Sequence, residues 1–301
     1  MSYCFQVDEK VGHGVRRIAA ELLDELLAEV TDESIPVHQR VHSARKHCKK
    51  IRGLLRLVRP GLGATYSVEN EAVRDAGRLL SAMRDSQTMI DAFSKLVDRP
   101  GREFDDATAS VVSDGLVRRQ EAIFGDADDV NHRLREFRER IAAVRQRVDD
   151  WDIAGGGRAT VLGGAKRTYA RGRLAMAAAY DEHSSEAFHQ WRKRVKDHWT
   201  HMLLLEDVWQ PVMTLYSDQL KKLSDLLGDD HDLAVISAEL QAAPSDFGGP
   251  EAVDAVAAFA SRQRWQLQLD AQKLGERIYV NKSKQAARRL GALWRAWKKS
   301  K

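Results

Sequence analysis

What most constrains the fold of this chain is that it repeats itself. Val41 to Val58, VHSARKHCKKIRGLLRLV, has a counterpart in Phe188 to Leu205, FHQWRKRVKDHWTHMLLL. His189 minus His42, Arg192 minus Arg45, Lys193 minus Lys46 and Lys196 minus Lys49 all give 147. The same difference pairs Arg74 with Lys221, Leu79 with Leu226, Leu80 with Leu227 and Asp85 with Asp232. An offset that does not drift from His42 to Asp85 marks a duplicated unit, and repeats of this kind take precedence over local patterns. The 301 residues are therefore expected to form two similar halves, 1–153 and 165–301, joined by the glycine-rich linker 154–164, AGGGRATVLGG.

Each half reads as helical. Apolar residues recur at three- and four-residue steps, as in Ile18, Leu22, Leu23, Leu26, Leu27 and Val30, and alternating β-branched runs are nearly absent. Proline and glycine punctuate the pattern at Pro36, Pro60 with Gly61 and Gly63, Pro100 with Gly101, Pro211, Pro244 and Pro250. The predicted helices are 15–31, 35–59, 67–98 and 104–150, then 160–181, 184–208, 211–241 and 250–299. Four helices with short connections per half predict two tandem up-and-down bundles related by a pseudo-two-fold axis, an all-α fold. Last helices of roughly 47 residues would reach about 70 Å if straight, so a bend or break is expected, at Gly125 in the first half.

Cys4 and Cys48 are too few for a disulfide framework, which suits a reducing compartment. The opening MSYCFQVDEKVGHGVRR lacks the apolar run of a secretion signal, and nowhere does an apolar stretch approach the roughly 20 residues of a membrane span. A cytosolic chain with no membrane partner is expected. Net charge is only +4, from 48 Lys and Arg against 44 Asp and Glu. The charges are segregated, however. Acids gather in 21–33 and 105–129, cations in 40–59, 133–147, 192–196 and 282–301. That arrangement lets a nearly neutral chain present a strongly positive patch.

The patch has a geometry. His38, His42, Arg45, Lys49, Arg52 and Arg56 follow one another at steps of 4, 3, 4, 3 and 4, which places them along one face of a helix. Val41, Ile51, Leu54, Leu55 and Val58 supply the face that packs. Like charges at i,i+4 cost roughly 0.2–0.5 kcal/mol per pair, and no acid on the same face offsets them. The second copy keeps His189, Arg192 and Lys196, then places Trp199 at Arg52's position and Leu203 at Arg56's. Further on, Arg138 and Arg145 match Arg288 and Arg295 at an offset of 150. Two rows of guanidinium and ammonium donors suit a long ligand with regularly spaced negative charge.

These residues resemble the conserved histidine α-helical domain (CHAD) family, whose pattern is a His, an Arg three on, a Lys or Arg seven on and commonly an Arg ten on. VHSARKHCKKIR fits all four positions and FHQWRKRVKDHW three. LLGDDHDLAVI, from Leu226 to Ile236, is similar to the family's second signature, and LLSAMRDSQTMI, from Leu79 to Ile90, keeps Arg84 and Asp85 without the glycine. The resemblance implies two four-helix bundles around a basic central cleft or pore that binds inorganic polyphosphate. It implies a binding set of His42, Arg45, Lys49 and Arg52 with His189, Arg192 and Lys196, and Arg138, Arg145, Arg288 and Arg295 as wall residues. Lys46, Arg74, Lys193 and Lys221 join this set by charge and repeat position, and Arg56 by its place at the end of the row that begins at His38. Asp85 and Asp232 are expected to hold the arginines in place as supporting carboxylates.

The function expected is non-catalytic polyphosphate binding, with granule attachment and a polyphosphate-metabolising enzyme as further partners. No cofactor, metal or catalytic residue is expected. His38 and His42 have the i,i+4 spacing of a metal pair, yet Ser185 stands at His38's place in the second copy. A phosphate-cleaving or phosphate-transferring enzyme would need Mg²⁺ held on carboxylates, and the repeat offers one Asp per half. Nucleic-acid binding is disfavoured by 7% aromatic content and by the lack of a reading motif.

Overall fold

A computed structural model describes residues 3–124, 127–155 and 157–300, with 82, 84 and 127 described by backbone alone. Among these residues are eleven α-helices and no strand. The first half supplies α1 (Val11–Thr31), α2 (Val37–Leu62), α3 (Ala64–Leu79), α4 (Ser81–Val97), α5 (Asp106–Phe124) and α6 (Ala127–Arg147). The second supplies α7 (Arg158–Glu182), α8 (Ser185–Leu204), α9 (Gln210–Ala242), α10 (Pro250–Ile278) and α11 (Ser283–Lys299). The predicted break at Gly125 lies outside the described residues. Its counterpart falls after Ile278, where Tyr279 caps α10 before α11 begins at Ser283.

Local sequence explains several boundaries. Pro36 immediately precedes α2, where its missing N–H costs no bond. Pro60 lies inside α2, which continues to Leu62 and stops at Gly63 with φ +56°. Ser184 caps α8, its hydroxyl accepting from the Ala187 N–H at 3.1 Å. One boundary is tertiary in origin. Residues 67–98 read as one helix, yet α3 and α4 part at Leu80, whereas the equivalent Leu227 lies within the unbroken α9. Arg45 of α2 donates to the Gly77 carbonyl at 2.8 Å and to Ser81 Oγ at 2.7 Å. Gly77 O is the acceptor that Ser81 N–H would use in a continuous helix, and a side chain inserted into that ladder is a recognised cause of a break.

Neighbouring helices of the first half close a ring, α1 on α2, α2 on α3, α3 on α6 and α6 on α1. In the second, α7 packs on α8, α8 on α9 and α11 on α7. Of the expected linker 154–164, the residues from Arg158 onward belong to α7, and apolar packing joins the two halves. One core runs from Val15, Leu23 and Leu54 through Trp191 and Leu220 to Trp294. The other joins Phe93 and Leu96 of α4 and Val112 of α5 to Ile236 of α9 and Phe259 of α10. Where α2 crosses α8, Gly53 and Thr200 touch; they are the same position of the repeat, 147 apart. No described helix is long and apolar enough to cross a membrane.

Candidate functional site

The basic face of α2 divides into two neighbourhoods. At its C-terminal end Arg52 Nε donates to Asn70 Oδ1 at 3.1 Å and Arg56 Nη1 to Asp197 Oδ1 of α8 at 2.9 Å. Burial, then the nearby charge of Arg56, brings the Arg52 guanidinium down to about 10; Asp197 opposes the shift and Arg74 adds to it. Arg74 is itself gripped by Asp75 at 2.8 and 3.1 Å, which raises its pKa. Three predicted cations, Arg52, Arg56 and Arg74, are thus brought within electrostatic reach of one another.

At the N-terminal end, a cavity of about 190 Å³ is lined by His38 and His42 of α2, by Met83, Gln87, Thr88, Asp91, Ala92 and Lys95 of α4, and by Asp232 of α9. Asp232 Oδ1 lies 3.9 Å from Arg192 Nη2 of α8, whose side chain is only 11% exposed. Asp232 therefore links the first row to the second. His189 lies against His231 with ring centroids 4.1 Å apart and the rings tilted by 33°. Burial, followed by the charges of Lys193 and Arg192, lowers the His189 pKa, so an arriving anion would reverse the sign of its surroundings. Lys46, Lys49 and Lys193 are exposed and Lys196 half-buried. Asp85 is exposed on α4, while the side chain of Arg84 lies outside the description.

Of the predicted wall arginines on α6 and α11, Arg145 is engaged with α1 and the others are exposed. In the first ring α6 packs on α1 and α3. Arg138 is exposed on α6, and Arg145 donates to Asp24 of α1 at 2.8 Å. Arg288 and Arg295 are exposed on α11, which packs chiefly on α7. Lys221 is exposed on α9 and donates to Asp225 at 2.6 Å. Conversely, sequence reasoning passed over His231, Lys95 and Arg99. Arg99 reaches Asp229 at 3.4 Å and lines a small crevice with Lys95 and Asp232. The i,i+4 spacing of Lys95 and Arg99, and the position of His231 next to Asp232, were the available signals.

Carboxylates near the rows are largely engaged. Asp230 is 1% exposed and accepts from Arg264 Nε at 3.0 Å and Gln268 Nε2 at 2.8 Å; burial nevertheless raises its pKa. Glu25, Glu29 and His47 bring potential metal-ligand atoms within 4.8 Å of one another. They sit between α1 and α2. At 3.6 residues per turn, His47 is about 140° to 200° round the helix from His42 and Arg45. A sequence model of the CHAD domain family matches residues 17–241, covering α2, α3, α4, α8 and nearly all of α9 and excluding Arg288 and Arg295. No curated protein matches the chain.

Proposed function

Because this chain belongs to the CHAD domain family, we propose that it binds inorganic polyphosphate without turning it over, through the basic faces of α2 and α8. The ligand runs along a cleft shared by two bundles under a pseudo-two-fold axis. The observation that carries this reading is the convergence of both halves on Asp232. It lines one cavity with His42 of the first row and lies beside Arg192 of the second. The Gly53–Thr200 contact supports the same symmetry. His42, Arg45, Lys49 and Arg52 meet phosphates from one side and His189, Arg192 and Lys196 from the other. Asp232 orients Arg192, and Arg45 is anchored by Gly77 O and Ser81. Attachment to polyphosphate granules follows if long chains extend beyond the cleft.

The test is binding of defined-length polyphosphate over a salt series, with RNA as competitor. Neutralising roughly six phosphates predicts a slope of log K on log salt near −4 if the single-strand coefficient of about 0.7 per phosphate applies. Arg45→Glu with Arg192→Glu is expected to abolish binding. Because both arginines are partly buried, the exposed pair Lys49→Glu and Lys193→Glu separates binding from folding and should weaken it with no loss of structure. Unchanged binding in that second pair would place the site elsewhere. Release of orthophosphate with Mg²⁺ or Mn²⁺, lost on Asp232→Asn, would instead make the protein an enzyme, and RNA that polyphosphate fails to displace would make it a nucleic-acid binder.

A further inference from the structure

The two halves differ at the place where the first ring closes. There α3 lies on α6, and Arg147 reaches the buried Glu69 with two hydrogen bonds of 2.8 Å. The offset of 147 puts Tyr216 at Glu69's position. Between α9, which carries Tyr216, and α11, a cavity of about 310 Å³ takes the place of that closure. Its size is at the lower end of pockets that hold small organic ligands, roughly 300–1,000 Å³. None of the predicted polyphosphate-binding residues lines it.

Its chemistry is divided between interior and mouth. Met202, Met213, Ile278 and Leu290 make apolar walls, with Tyr169 and Tyr216 beside them. His198 lies on the floor, 2% exposed, its ring 5.6 Å from those of Tyr169 and Tyr216 and 5.7 Å from that of Tyr279. Its Nδ1 has no hydrogen-bond partner. Burial drives the ring's pKa down to about 3, so the floor is polar but uncharged at neutral pH. At the mouth stand Lys166, Arg277 and Arg289, all exposed. No Asp or Glu is among the lining residues. An apolar chamber with a rim of one sign selects for a ligand that has both an apolar body and the opposite charge.

We propose that this cavity is a second binding site, which takes a small amphipathic anion: an aromatic body among the tyrosines and methionines, and an acidic head at Lys166, Arg277 and Arg289. Polyphosphate has no apolar part to place here, so the site is independent of the α2 and α8 surface. The probe is 1-anilinonaphthalene-8-sulfonate, compared with N-phenyl-1-naphthylamine, which has the same rings and no sulfonate. Saturable one-to-one binding of the sulfonate is expected, with the neutral analogue at least about tenfold weaker. Arg289→Glu with Lys166→Glu, both on the exposed rim, should weaken the sulfonate at least about tenfold while leaving the neutral probe unchanged. Ala286→Trp should fill the chamber and remove both. Excess polyphosphate should leave the probe bound. The proposal is overturned if both probes bind equally, if the folded rim variant binds the sulfonate as the parent does, or if polyphosphate displaces it.

Discussion

Gly53→Ala tests the junction of α2 with α8 at a single atom. A Cβ at Gly53 would fall inside the van der Waals envelope of Thr200 Cγ2 and 3.1 Å from Thr200 Cβ. Moving α2 away from α8 would strain two other links across the junction, His201 Nε2 with Gly53 O at 3.0 Å and Arg56 with Asp197 at 2.9 Å. Overpacking of this kind costs about 1–3 kcal/mol. Alanine inside a helix recovers about 0.5–1 kcal/mol relative to glycine, which leaves a net loss of about 0–2.5 kcal/mol. Thr200→Ala removes the clashing methyl, so the double variant should be less destabilised than the two single changes added, with a coupling of about 0.5–3 kcal/mol. Urea denaturation at fixed pH measures all three, and an unchanged m-value keeps the comparison valid. If Gly53→Ala simply gains the helix-propensity term and shows no coupling to Thr200→Ala, the two copies do not meet at this residue.

Other outcomes follow from groups at the edges of the proposed sites. Burial holds His198 and His201 neutral, with pKa values lowered from 6.5 to about 3. Between those values the unfolded chain binds protons that the folded one refuses, so stability is fully present above pH 6.5 and falls as pH drops toward 3. At pH 5 the loss is about 2 kcal/mol per histidine, from 1.36 kcal/mol per pH unit. Denaturation midpoints at pH 7.5 and pH 5 should differ accordingly, and an unchanged midpoint would contradict the burial of these rings. Arg147→Ala strands the Glu69 carboxylate, whose side chain is 3% exposed, at a cost of about 1–3 kcal/mol. Adding Glu69→Gln should restore part of that loss in thermal unfolding.

The helical class, the doubling and the candidate cations are all written in neighbouring residues. An i,i+3,i+4 apolar rhythm selects a helix whatever surrounds it, and an offset of 147 is a property of the string. The α2 row could be found because its members share one helix face, where spacing alone decides the side. Partners across helices follow a different rule, since they depend on which helices cross and at what height. Arg145 has the same sequence credentials as Arg52, yet it pairs with Asp24 because α6 lies against α1. Residues 67–98 keep an unbroken helical pattern, and only Arg45 arriving from α2 interrupts it at Leu80. The cavity beside Tyr216 depends on the same kind of information. Exchanging Glu69 for Tyr216 looks like ordinary divergence along the chain, but in three dimensions it leaves the second half without the bond that closes the first ring. Local rules determined the elements, and packing between distant helices decided which charges meet, which are spent on each other and where the molecule stays open.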